Sequence, residues 1–176
     1  MRIALIGCSK TKRTFPEGQH VCTGDLYAGP LFKKRVQYAE AKGIRWFVVS
    51  ARFGLMPPHF PVNPTVIGKD GVRSSYDLCI KDLSPADQAI WHVTVASDVI
   101  HLLWNDVELY GHEKPMNPKD LTIEIHAGAD YARPLAEILT TVGIKVKTPV
   151  AGLGIGEQLA WYSNWLSSMQ PTNAKA

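Results

Sequence analysis

Long apolar runs are missing from this sequence: no stretch approaches the roughly 20 residues that a membrane-spanning helix needs. The opening MRIALIGCSK is also too short in its greasy part to act as a signal peptide, so a cytoplasmic protein without membrane attachment is expected. Cysteine is scarce. Cys8, Cys22 and Cys79 form neither a CxxC pair nor an even set, which excludes a disulfide framework and leaves reduced thiols. The six histidines show no HExxH or similar spacing, so no catalytic metal is expected, and no cofactor either. GCSKTK contains Gly, Ser and Lys but lacks the GxxxxGK[ST] spacing that wraps a triphosphate, which excludes a P-loop NTPase. GLGIG, around Gly152, follows the last strand and has no acid downstream of the kind a dinucleotide fingerprint requires. It reads instead as a tight turn into a helix whose N-terminal amides could hold a phosphate. Internal repeats and low-complexity tracts are absent as well.

What is present is an ordinary globular composition of 176 residues, 45% hydrophobic and 20% charged, the size of one domain. Residues 1–169 are expected to form that domain, and 170–176 a frayed tail. The net charge of +3 gives only modest long-range attraction, but it is unevenly placed. Lys10, Lys12 and Arg13 follow the first strand; Lys33, Lys34 and Arg35 lie in the first helix. The second trio reads either as a phosphate-attracting cluster or as the solvated face of a helix.

Four short apolar or β-branched runs predict strands at 2–7, 45–50, 121–126 and 144–150. Helices are expected between and after them: over LFKKRVQYAEAKG with Leu31, Val36, Tyr38 and Ala39 buried; from Pro85, capped by Ser84, to about Asn105; over 131–142; and over 156–168 with Leu159, Trp161, Tyr162, Trp165 and Leu166 on its apolar side. Alternating strand and helix calls for a three-layer α/β/α fold around a four-stranded, mostly parallel sheet. Ligands bind such sheets beyond the carboxyl ends of the strands. Four loops meet there, at 8–27, 50–77, 126–133 and 149–156. The second of them is rich in proline and glycine and is expected to be irregular.

Several residues in these loops can carry chemistry. Cys8, ahead of Lys10, is either an activated nucleophile or a buried structural thiol. Asp25 and Asp77 sit where a carboxylate can orient a water against a substrate, though each can equally cap a helix. His126, Asp130 and Tyr131 combine an imidazole, a carboxylate and a ring suited to stacking on a base; Asp130 can alternatively cap the following helix.

GCSKTK, LYAGPLFKKRVQYAE, VVSARFGLMPP, SYDL and PVAGLGIGEQLAWY together resemble an uncharacterised family of small bacterial and phage proteins. In that family a GCSK segment precedes an LY…LF helix and an SAK-x-GL loop. Arg52 stands here where the family has Lys, keeping the charge but changing the donor geometry. The family is in turn similar to the uracil-DNA-glycosylase-like superfamily, which includes a domain of archaeal tRNA base-modifying enzymes.

That resemblance implies a DNA glycosylase that leaves an abasic site, acting on a modified base such as glucosylated hydroxymethylcytosine in antiphage defence. It places Asp25 and Tyr27 where such enzymes carry the water-activating acid and its aromatic neighbour, although the GxDPY order is absent and Thr148-Pro149-Val150-Ala151 replaces HPSP. Asp77 is therefore a rival acid. Under this reading His126 or Arg52 favours the departing base, and Tyr27, Phe53, Tyr76, Asp130 and Tyr131 shape its pocket together with Cys8, Ser9, Lys10 and Ser50. Lys12 and Arg13, with Lys10, hold DNA phosphates. Two other functions stay open: N-glycosidic cleavage or base transfer on free nucleotides, and non-catalytic nucleic-acid binding.

Overall fold

The structure, a computed structural model, describes residues 1–16, 18–62, 66–67, 73–74, 78–110 and 117–169, with the backbone alone at 66–67, 73–74 and 103–110. Tyr76, Asp77 and the expected tail lie outside the described residues. RIALIG forms β1 (Arg2–Gly7), whose last five residues are buried as a strand covered on both faces must be. After a polar loop come the short β2 (Val21–Cys22), one helical turn α1 (Thr23–Leu26) and α2 (Pro30–Ala41), with Pro30 in its first turn. The side of α2 that turns inward carries Phe32, Arg35, Tyr38 and Ala39; Leu31 and Val36 are only half-buried. Arg35 is thus neither solvated nor on a surface cluster, because the helix register sets it one turn before Tyr38 on the buried side.

β3 (Arg45–Ser50) pairs in parallel with β1, and β4 (Gly54–Met56) folds back antiparallel onto it. The sheet accordingly has five strands, not four. Gly54, at φ +68°, makes the sharp reversal that lets Leu55 and Met56 pair with Val49 and Val48, so regular structure enters a segment expected to lack it. Two small antiparallel pairs flank this region: β5 (Pro61–Val62) with β2, and β6 (Val66–Ile67) with β7 (Arg73–Ser74).

The long helix α3 (Pro85–Tyr110) starts where the Ser84 hydroxyl accepts the Asp87 amide at 3.1 Å, and continues five residues further than its β-branched interior suggested. β8 (Thr122–His126), α4 (Ala129–Thr141), β9 (Lys145–Lys147) and α5 (Ile155–Ser168) complete the fold. β9 is shorter than expected, ending two residues before Pro149, which cannot donate to a ladder.

The sheet order is β4-β3-β1-β8-β9, with all neighbours parallel except β4. Helices α3 and α4 cover one face, where Ile3, Leu5, Ile123 and Ile125 join Val95, Val99, Leu135 and Leu139 in an apolar cluster. On the other face Ala4, Ile6 and Val48 pack against Phe32 and Ala39 of α2, and Tyr38 meets Tyr162 of α5.

Candidate functional site

Between β1 and β8 the chain reverses its direction of travel across the sheet, which opens a crevice beyond the strand ends. The two ends approach closely there. A Cβ on Gly7 would stand 3.0 Å from the Ala127 Cβ, so only glycine fits without displacement. The next residues fold into a compact loop: the Ser9 hydroxyl donates to the Thr11 carbonyl at 2.9 Å and accepts the Gly29 amide at 3.2 Å, pinning the loop to the start of α2. Lys12 reaches back to the carbonyls of Ser9 and Lys10, both at 3.4 Å.

This loop forms one wall of a cavity of about 430 Å³, to which it contributes Cys8, Ser9, Lys10 and Lys12. The opposite wall is Tyr131 with Leu78, Cys79 and Asp82. Tyr131 is fixed from three sides. Its hydroxyl accepts the Ile80 amide at 3.3 Å and lies 3.9 Å from the Cys8 sulfur, while its ring meets Trp91 edge-on at 5.2 Å. One Asp82 oxygen accepts the Cys79 amide at 3.0 Å, closing the turn Ile80–Asp82. Next to Tyr131, Asp130 pairs with Lys81 at 3.3 Å, and its carbonyl meets the His92 ring at 2.9 Å. The cavity therefore combines cations, a held aromatic ring and a carboxylate, a set suited to a phosphate-bearing heterocycle.

Of the residues singled out in the sequence, the fold gathers Cys8, Ser9, Lys10, Lys12 and Tyr131 around this cavity. Others stand apart. Asp25 is exposed on α1 and does not line it. Tyr27, expected to stack on a base, is 1% exposed and packs against Phe32 in the core, with Lys12 5.7 Å above its ring. Ser50 is buried and its hydroxyl accepts the amides of Arg52 and Phe53, each at 3.2 Å, so it closes the turn into β4. Arg52 lies over the Phe53 ring on the surface, and Arg13 is likewise exposed. His126 is wholly buried on the face of the sheet opposite α4. Strand alternation explains this: Ile125 and His126 cannot share a face.

His126 belongs to a buried polar chain that sequence reasoning missed. The Lys42 ammonium donates to both Glu124 oxygens, at 3.0 and 3.2 Å, and to the Tyr38 hydroxyl at 2.5 Å. Tyr38 donates to Glu124 at 3.1 Å, and His126 Nε2 faces the same carboxylate at 3.6 Å. On the far side of the imidazole, Nδ1 lies 2.6 Å from the Tyr162 hydroxyl, so with Nε2 protonated toward Glu124 the hydroxyl donates to Nδ1. Tyr162 in turn faces Arg35, which donates to the Gln158 carbonyl oxygen at 2.9 Å.

Electrostatics follow from these partners. His126 and Lys42 hold the Glu124 carboxyl down at about 2. Burial lowers the His126 and Arg35 values and raises those of the Tyr162 and Tyr38 phenols, which keeps the imidazole and both hydroxyls neutral. Burial would also lower Lys42, but its bonds to Tyr38 and Glu124 outweigh that and raise it. The legible signal was the E in LTIEIH: a charged residue inside a buried strand demands a partner.

A second cavity, of about 620 Å³, lies between the starts of α4 and α5, lined by Ala127, Ala132, Val150 and Gln158 among others. The first amide of the α5 entry, Gly154, is already taken by the Glu157 carboxylate at 2.7 Å, which disfavours the phosphate expected there. Among the described residues no cluster of three or more His, Cys, Asp or Glu side chains could hold a metal ion, and no helix is long and apolar enough to cross a membrane.

The model of a family of unknown function, DUF6884, matches residues 3–164. No curated protein and no solved structure matches the chain.

Proposed function

The chain belongs to this family of unknown function, and from the crevice between β1 and β8 we propose that it hydrolyses the N-glycosidic bond of a nucleotide in DNA, leaving an abasic site. The observation that carries the proposal is the meeting of Lys10, Lys12, the Tyr131 ring and the Asp82 carboxylate around one cavity of about 430 Å³. Such a volume suits a single nucleotide lifted out of the stack. Lys10 and Lys12 neutralise the flanking phosphates, and Tyr131 offers its ring to the base.

In the reaction a water oxygen bonds to the anomeric carbon as the carbon–nitrogen bond breaks, and the departing base takes the bonding electrons. Asp82 is the carboxylate available in the cavity to receive the water's proton, in place of Asp25, which stands elsewhere. Asp77, two residues before Cys79 in the sequence, is kept as the rival. Phosphates and the carboxylate stabilise the positive charge that develops on the sugar. The similarity to the uracil-DNA-glycosylase-like superfamily supports this reaction class, and a base enlarged by glucosylation, as in modified phage DNA, is the substrate to test first.

The test is to incubate the protein with unmodified DNA, uracil-containing DNA, DNA carrying glucosylated hydroxymethylcytosine, and free nucleotides, and to assay abasic sites and released base. Abasic sites in one DNA, lost in Asp82→Asn, are expected. Base released from free nucleotides alone moves the activity to the nucleotide-hydrolase reading. No release from any of them ends the proposal.

A further inference from the structure

Two of the three cysteines share a cavity. Cys8, on the loop after β1, and Cys79, on the opposite wall, both line the space of about 430 Å³, whereas Cys22 stands exposed on β2 and does not. One atom ties the two walls together. The Tyr131 hydroxyl lies 3.9 Å from the Cys8 sulfur and 3.3 Å from the Ile80 amide, the peptide nitrogen that directly follows Cys79. Since that oxygen accepts the amide proton, its own proton can point to the sulfur. Cys8 is half-buried and Cys79 exposed, so a small reagent entering the cavity meets both.

The surroundings of Cys8 are cationic. Behind it lies Arg35, 6% exposed, with Nη1 3.4 Å from where a Cβ on Gly7 would stand and in electrostatic contact with Cys8. Among the described residues no carboxylate meets this guanidinium: Gln158 accepts one of its N–H groups, and burial keeps Tyr162 and His126 neutral. A buried cation is costly without an anion, and the Cys8 sulfur is the neighbour that can become one. On the outer side Lys10 and Lys12 line the same cavity. Asp82, the acid of the far wall, is engaged by the Cys79 amide at 3.0 Å. Cations beside a thiol favour the thiolate, which is the form that reacts.

We propose that Cys8 and Cys79 form a redox site whose substrate is a hydroperoxide, with Cys8 as the attacking thiolate and Cys79 as the thiol that resolves it. The Cys8 sulfur bonds to one peroxide oxygen as the O–O bond breaks, and the departing hydroxide takes a proton from solvent to become water. Cys8 is left as a sulfenic acid. The Cys79 sulfur then attacks the Cys8 sulfur, the S–O bond breaks, and the hydroxyl leaves as water with the Cys79 proton. The two thiols have lost two electrons to the disulfide, and the peroxide has been reduced to two waters. The bridge crosses the cavity between its two walls and excludes a nucleotide, a consequence that rests on the reading of the cavity given above; the bridge itself does not.

The test treats the reduced full chain, without denaturant, with a slight excess of hydrogen peroxide, blocks the remaining thiols with iodoacetamide and maps the linked peptides by mass spectrometry. A Cys8–Cys79 bridge within one chain is expected, with Cys22 alkylated and the bridge lost in dithiothreitol. Cys79→Ser should stop at a Cys8 sulfenic acid that dimedone traps, and Cys8→Ser should leave Cys79 reduced. Before oxidation, iodoacetamide at about pH 6, where an ordinary thiol is almost wholly protonated, should label Cys8 at least fivefold faster than Cys22. No bridge in the wild type, a bridge between chains or through Cys22, or Cys8 labelled no faster than Cys22 overturns the proposal. So does oxidation of Cys79 at the wild-type rate in Cys8→Ser. The bridge and the labelling order need no variant, so both decide even if Cys8→Ser fails to fold. A bridge in a chain that yields no abasic site from any DNA upholds the redox site and ends the glycosylase reading; abasic product without a bridge does the reverse. Undiminished product from the bridged chain overturns the closure of the cavity.

Discussion

On one face of the central sheet Ile123 and Ile125 pack among Val95, Val99, Leu135 and Leu139; on the other, Glu124 and His126 from the same strand enter a chain of hydrogen bonds. The first face is held by non-directional burial, which tolerates changes of shape. The second is held by directional partners, so that removing one strands a buried polar group. The apolar face supplies stability, and the polar face fixes the geometry beneath the crevice.

Removing one partner from the polar face should give the largest effect. Glu124→Ala leaves Lys42 without its carboxylate, strips an acceptor from Tyr38 and removes the charge facing His126, so a loss of about 4 kcal/mol is expected in urea unfolding. On the apolar face Leu135→Ala removes a fully buried side chain and should cost about 3 kcal/mol through its cavity. A Leu135→Ala cost well above that of Glu124→Ala would break the comparison.

Acid should separate the faces further. Because the folded Glu124 carboxyl titrates at about 2 against an ordinary 4.5, its stabilisation is complete above pH 4.5 and drains away as pH falls toward 2. The loss is on the order of 2 kcal/mol. His126 acts in the same direction and earlier: its folded value is below the ordinary 6.5, so the unfolded chain takes up that proton first and stability begins to fall below about pH 6.5. Urea midpoints measured from pH 7 to pH 3 should decline in the wild type and in Leu135→Ala alike, with a flatter profile in Glu124→Gln. An unchanged slope in Glu124→Gln would show that the polar face does not govern the acid response.

Much of the fold was readable because periodicity and punctuation are local. RIALIG and RWFVVS read as buried strands, Ser84-Pro85 as a helix start, and the alternation of strand and helix as a parallel sheet. Part of the site was readable too, since Cys8 to Lys12 and Tyr131 had to lie at strand ends. Tyr27 and Ser50 misled for one reason: Tyr27 follows α1 and Ser50 ends β3, yet both are buried, and a place beside a loop does not tell which way a side chain points. Arg35 was hidden in KKR, where three adjacent cations look alike until helix packing selects one of them.

The sequence by itself determined the order of the four parallel strands and the helices between them, and with it the end of the sheet where the loops collect, because strand alternation and turn chemistry act over a few residues. Only the tertiary structure decided which charges left water. Burial of Arg35, Glu124 and His126 depends on which faces of α2, β8 and α5 meet, and that meeting involves residues more than eighty positions apart in the chain.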